Sequence, residues 1–558
     1  MTPLFPTSIA AKAPFGAFAF LRPRSWRVRW DSWHLIALCI ALFTLAPVII
    51  VFTYLGASDN DVWTHLKQTV LFEYTIHTLL LALGVAAGTA LTGVSLAWLT
   101  AVCDFPGRRF FAWSLMLPLA LPAYVTGFVM IGVFDFTGPL QTALREAFGP
   151  IWFPPIRSGA GVAFAMTLAL YPYVYLLARN AFLTQGRRAL EAAQALGLNR
   201  RQGFYRVALP LARPWIAGGV ALVIMETLAD FGTVAVFNYD TFTTGIYKAW
   251  FSLFSLPAAA QLASLLIVGV FVLLVFEQYS RNRMRYTATG RTSGPQRITL
   301  HGKTKWLAAA WCALIFLLAF ALPVGMLARW AWQAGAKDLD ARYFSYVYHS
   351  LLLGALSALL CVWVATWLAY AARQHRDNAM KLTARLATLG YAVPGAVLAI
   401  GSFSLIAWFD NGYIALMQSS GVHTGQILQG TLVAMLAAYL TRFLAVAHQP
   451  VEAAMQRITR SQDNAARSLG LTTRKVLTRI HLPALRGGLL TAALLVFVDV
   501  MKEMPITLMT RPFGWDTLAT RIFEMTSEGE WERAALPAVA LVLAGLIPVV
   551  MLVRHSEK

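Results

Sequence analysis

With 558 residues, 58% of them apolar and only 13% charged, the chain is too hydrophobic for a soluble fold of its size. A net charge of +20 would suit nucleic acid, but its placement argues against that partner. Most Lys and Arg fall on the side of the apolar segments that holds both termini, and most Asp and Glu on the other, the bias of a cytoplasmic membrane face.

Residues 1–33, broken by Pro3, Pro6, Pro14 and Pro23, read as a loosely ordered cytoplasmic tail. Arg22, Arg24, Arg27 and Arg29 then precede an apolar run longer than a signal-peptide core and without a small-x-small cleavage site, so it is predicted to persist as a first helix. About twelve stretches are long enough to cross a hydrocarbon core of about 30 Å. They lie near 34–55, 75–102, 112–134, 159–180, 213–236, 258–279, 306–328, 349–372, 384–408, 428–447, 487–509 and 535–553. The expected fold is therefore an all-α, multi-pass integral membrane protein of about twelve transmembrane helices, with both termini cytoplasmic. Segments 135–158, 237–257, 409–427 and 510–534 are predicted to face the periplasm, where an outside partner would dock. Cys39, Cys103, Cys312 and Cys361 are scattered in or beside the spans without metal or redox spacing, and read as small core residues.

The chain repeats itself. His77-Thr78-Leu79-Leu80-Leu81 matches His349-Ser350-Leu351-Leu352-Leu353, and Leu121-Pro122-Ala123 matches Val393-Pro394-Gly395, both 272 residues apart. Six spans per copy is an even number, so the copies share one orientation, related by an axis along the membrane normal. The first half covers 34–280 and the second 306–558, joined by a basic cytoplasmic linker at 281–305.

A longer landmark recurs between the fourth and fifth spans of each half. Glu191-Ala192-Ala193, Gly197 and Val207-Ala208-Leu209-Pro210 return 273 residues later as Asn464-Ala465-Ala466, Gly470 and Ile480-His481-Leu482-Pro483 with identical internal spacing. The residues before each Gly suit a short amphipathic helix on the membrane surface. The Gly can end such a helix in the left-handed conformation, and the Pro is tolerated in the first turn of the next span. This pattern resembles the EAA loop of ABC-importer permeases. The resemblance implies that two copies of a cytoplasmic ABC ATPase dock on the two loops, and that ATP and Mg act there, with no cofactor bound by this chain. Asn464 stands where the family pattern has Glu, so a salt bridge made by Glu191 is not carried over to the second copy. Gly302-Lys303-Thr304 looks like the end of a P-loop, but Arg297 occupies the place of the first Gly and the stretch reads as linker rather than strand-turn-helix. The chain is thus not expected to be an enzyme.

In the spans after the two loops, Glu226 and Asp230 superpose on Asp499 and Glu503. Each pair is spaced i, i+4 and is predicted to share one helix face, ~24–30 Å from the Pro at 1.5 Å per residue. Ionisable groups at such depth face a cavity or a partner, and four carboxylates across the pseudo-twofold axis would attract a hard cation, with transient metal contact there. The plainer reading is that they cap loops or pair with Lys502 and nearby arginines. Lys502 itself has no match, Ala229 holding its place. Tyr171, Tyr173 and Tyr175 form a weaker ligand candidate, with Pro172 pointing instead to a kink; only Tyr171 has a counterpart, Tyr439.

Met225-Glu226-Thr227-Leu228-Ala229-Asp230-Phe231-Gly232 and Thr243-Thr244-Gly245-Ile246-Tyr247-Lys248, with Asp499-Val500-Met501-Lys502-Glu503-Met504-Pro505 and Arg511-Pro512-Phe513-Gly514-Trp515, resemble the fused ferric-iron permeases. That resemblance implies Fe(III) handed over by a periplasmic substrate-binding protein and moved by alternating access. Thiamine and polyamine permeases share the architecture and remain alternatives. A secondary transporter would not need the two long loops, and the spans hold no protease-like arrangement for an intramembrane enzyme.

Overall fold

The computed structural model describes residues 31–56, 61–150, 152–186, 197–282, 297–375 and 377–556. Among the described residues eleven segments are long and apolar enough to cross a membrane, and the 26-residue helix Trp531–Ser556 takes the place of the twelfth expected span. In the first half these helices are α1 (Ser32–Thr53), α2 (Leu71–Val102), α3 (Ala123–Phe134), α4 (Gly159–Ala181), α5 (Leu209–Ala229), the short α6 (Gly232–Val236) and α7 (Leu256–Asn282). The second half holds α8 (Lys303–Phe316) running through a π turn into α9 (Leu322–Asp338), α10 (Ala341–Gln374), α11 (Asn378–Ala387), α12 (Gly395–Ser419), α13 (Leu432–Arg457), α14 (Arg460–Ser468), α15 (Leu482–Lys502), the short α16 (Pro505–Thr510) and α17 (Trp531–Ser556).

The repeat is realised chemically. His77 Nδ1 meets the Asp240 carbonyl at 3.0 Å while its ring stacks on Tyr239, and His349 Nδ1 meets the Asp516 carbonyl at 3.0 Å while its ring stacks on Trp515. Thr78 and Ser350, the next residues, accept from the Phe242 and Leu518 amides. Pro122 and Pro394 both take extended backbone immediately before α3 and α12. A proline cannot donate to the preceding turn, so the expected spans 112–134 and 384–408 are each broken at this point. The spans predicted at 213–236 and 487–509 are also interrupted, at Asp230-Phe231 and Glu503-Met504.

Packing does not follow the sequence repeat. One buried core joins α2 to α5 with α8, α9 and α17; the other joins α10 and α12 to α15 with α1 and α7. The halves therefore exchange their outer helices. Close approach seats the exchange: at Gly401 of α12 the Pro47 carbonyl oxygen of α1 leaves no room for a Cβ. Small residues such as Ala258, Ala259, Ala396 and Ala399 are buried in the same core, as expected where apolar helices gain nothing from leaving lipid and must pack closely instead.

The linker expected at 281–305 falls between α7 and α8. α7 runs to Asn282, Ile298–Thr299 pair in parallel with Cys103–Asp104, and α8 starts at Lys303. The Gly302-Lys303-Thr304 stretch thus does follow a two-residue strand and open a helix, contrary to the sequence reading, but Arg297 still stands where a phosphate loop needs its first glycine.

Candidate transport cavity and coupling segments

Both halves contribute to one cavity of about 390 Å³, lined by Glu226, Asp230, Asp499 and Glu503 together with Tyr124, Tyr173, Tyr391, Arg442 and Lys502. The four carboxylates expected to lie together do so, but not as two helix-face pairs. α5 ends at Ala229 and α15 at Lys502, and Asp230 and Glu503 have extended backbone (ψ 131° and 119°). Each then caps the short helix that follows. Asp230 Oδ2 accepts from the Thr233 and Val234 amides at 2.9 and 3.3 Å, and Glu503 Oε1 accepts from the Ile506 amide at 3.0 Å. A carboxylate at a helix start satisfies amides that have no intrahelical partner, which is why the breaks fall here. Glu226 and Asp499 stay inside α5 and α15 and face the cavity; the Tyr391 hydroxyl lies 3.5 Å from Glu226 Oε1.

The cavity is not purely acidic. Arg442 of α13 sets Nε 3.2 Å from Glu503 Oε2, with both side chains largely buried, and Lys502 Nζ donates to the Leu119 carbonyl at 3.0 Å. By the repeat offset of 273 residues the buried Ala169 occupies the place of Arg442, so both fixed cations come from the second half. Arg442 went unnoticed in the sequence because it lies in an apolar span whose inner end is basic. The buried Tyr124 hydroxyl has no hydrogen-bond partner among the described residues, leaving a donor at the wall for water or cargo. Tyr171 and Tyr175 donate to the Leu115 and Ala112 carbonyls and are structural, whereas Tyr173 lines the cavity. Among the described residues no three of the four carboxylates bring their oxygens within 4.8 Å of one another.

Of the two repeated loops, Glu191, Ala192 and Ala193 lie outside the described residues. Gly197 and Gly470 have φ of +83° and +79°, the left-handed turn expected of them. In the second copy Thr459 and Gln462 form a capping box for α14, and after Gly470 the Leu471 amide returns to the Ala466 carbonyl at 3.1 Å. Asn464 and Ala465 are exposed and Ala466 is buried. Leu209-Pro210 and Leu482-Pro483 open α5 and α15. Asn464 sits inside α14, directly after the acidic Asp463.

Asp463 binds Arg373 Nη2 at 2.6 Å and His481 Nε2 at 2.7 Å, fastening α14 to the end of α10 and the start of α15. Arg373 also donates to the Met455 and Ile458 carbonyls at 3.0 and 2.9 Å. Burial pushes the Asp463 carboxyl up, but hydrogen bonds from His481 and Arg373 outweigh it and hold it below its ordinary 3.8. A depressed carboxylate contributes stability above its unfolded pKa and loses it as pH falls through the folded one, so the grip is complete at neutral pH. The first half has Ala101 and Ala208 at the positions of Arg373 and His481. Replacing Asp463 by Ala should cost local docking of about 2 kcal/mol, and tryptic cleavage after Arg467 should quicken about thirtyfold. Unchanged cleavage would show that α14 is held some other way.

Residues 90–286 and 363–558 each match the family described as the inner membrane component of binding-protein-dependent transport systems. The chain belongs to this family. The permease is 28% identical over 534 residues to the Fe(3+)-transport system permease protein FbpB 2 of Haemophilus influenzae, covering 94% of this chain and 98% of that one. The ferric transport system permease protein FbpB of Actinobacillus pleuropneumoniae is 22% identical, with 78% and 63% covered. The sulfate transport system permease protein CysW of Escherichia coli K12 is 30% identical over 213 residues, 38% of this permease and 72% of that protein. Two family matches in one chain make it a fused two-half permease, an all-α multi-pass membrane protein.

Proposed function

We propose that this permease moves Fe(III) from the periplasm to the cytoplasm, with a periplasmic binding protein delivering the ion and two ABC ATPase subunits driving alternating access. The observation that carries the reading is the single cavity to which each half brings two carboxylates, oxygen donors suited to a hard cation. The similarity to permeases whose names specify iron supports it. In this reading the segments 191–210 and 464–483 receive the ATPases on the cytoplasmic side, where both termini also lie. Closure of the ATPases pushes α14 and its first-half equivalent, and the helices that follow carry the motion to the cavity walls.

Uptake of radiolabelled iron in proteoliposomes holding the permease, its ATPase and its binding protein tests the substrate; thiamine or a polyamine competing as strongly as Fe(III) would overturn it. Arg442 and Lys502 favour a second form of the same reading, in which the ion crosses with a small anionic ligand, and uptake that requires such a ligand would distinguish the two. The lever is tested separately. Gly197→Val with Gly470→Val should cost about 1–2 kcal/mol at each left-handed position. An added Cβ meets nothing within 4 Å, so the effect comes from the backbone alone. Iron moved per ATP hydrolysed should then fall about tenfold at normal abundance, as about 1.4 kcal/mol is tenfold. Undiminished transport would remove the lever.

A further inference from the structure

At the end of the bundle that carries α14, a second cluster joins the two halves, made of residues that do not line the cavity. Asp31 caps the start of α1, His34 lies in its first turn, His375 follows α10, and Asp377 caps α11. Among the described residues this is the one place where three His, Cys, Asp or Glu side chains bring donor atoms within 4.8 Å of one another, namely Asp31, His34 and His375. His34 Nδ1 is 2.9 Å from Asp31 Oδ1 and His375 Nε2 is 2.7 Å from Asp31 Oδ2, with the two imidazole centroids 4.4 Å apart.

We infer that Asp31, His34 and His375 form a binding site for a divalent first-row transition ion, one per chain, distinct from the transport cavity. Two imidazoles and one carboxylate are the donor set that takes such ions with coordination positions left open. A further carboxylate completes the arrangement: Asp377 Oδ2 holds His34 Nε2 at 2.9 Å, fixing the ring with Nδ1 toward the other donors, as metal-ligating histidines are commonly held. His34 is buried at 3% side-chain exposure, while Asp31 and His375 at 39% and 28% leave a path for the ion. The repeat offset puts Lys303, Trp306, Cys103 and Phe105 at the corresponding places, so the first half has no such site. Position gives the ion a role. Arg373, two residues before His375, grips Asp463 of α14, so an ion shared by α1 and the end of α10 stiffens the element that holds one coupling segment and none of the other. On the face assigned to the cytoplasm by charge, the site samples ions on the delivery side.

The untagged full-length permease, purified in detergent, is titrated with Co(II), read by ligand-field absorption and equilibrium dialysis. About one Co(II) per chain is expected to bind and to raise the unfolding temperature. His375→Ala should lose that stoichiometric binding and the thermal shift, and Asp377→Asn should weaken binding about 10–100-fold. If His375→Ala fails to give a single folded species, Asp377→Asn decides. No Co(II) binding by the native chain, or equal binding by the native chain and the folded variants, would overturn the site and leave a hydrogen-bonded helix cap only.

Discussion

A permease carrying Glu226→Gln and Asp499→Asn together is expected to fold and assemble normally yet lose iron uptake about a hundredfold, taking roughly tenfold per carboxylate at about 1.4 kcal/mol. These two side chains face the cavity from within α5 and α15 rather than holding helix ends. Their removal therefore takes charge from the pathway while the caps at Asp230 and Glu503 remain. Initial rates of radiolabelled iron uptake, normalised to permease abundance and to ATPase recruitment, give the measurement. Uptake at the native rate would mean that the acidic lining takes no part in moving the cargo. Neutralising all four carboxylates would be a poorer experiment, because loss of the α6 and α16 caps could mimic loss of transport.

The second large effect concerns stability. Glu503→Gln alone should destabilise the permease by about 3 kcal/mol, since it leaves the Arg442 guanidinium buried without its nearest carboxylate. Arg442→Met alone should cost a similar amount for the opposite reason. Both changes together should recover most of the loss, because the desolvation of two charges offsets most of their attraction. Thermal unfolding of the four proteins in detergent closes the cycle. Strictly additive losses would show that Arg442 and Glu503 do not depend on one another. Transport by the stable double variant would then report whether the guanidinium serves the cargo or only the fold.

How far the cavity was legible in the sequence varies by residue. The carboxylates stood out because an acid within an apolar stretch is costly anywhere in that stretch, whatever its neighbours. Their local backbone reads as continuous helix from the apolar pattern although a signal is present: Pro505 has no amide hydrogen and its ring crowds the carbonyl four residues earlier, and Gly232 marks the equivalent point in the first half. Arg442 had no such signal, because one arginine toward the inner end of a span has the same pattern whether it reaches for headgroups or for Glu503 sixty residues on. Asp463 was hidden for a related reason. It falls one position before the repeated motif, and its partners Arg373 and His481 come from different helices.

Hydrophobic length, charge bias and a constant repeat offset are properties of the chain read along itself, and they determined the membrane class, the duplicated helical order and the two repeated loops. Lateral partnership is different in kind. Most of the surface of each span is apolar, so burial in lipid does not rank one neighbour above another, and shape decides most contacts. The exchange of α1 and α7 for α8, α9 and α17 rests on contacts such as Pro47 against Gly401, invisible until both surfaces exist. The same tertiary choice turned a symmetric set of four acids into an unequal cavity, with Arg442 and Lys502 both supplied by the second half.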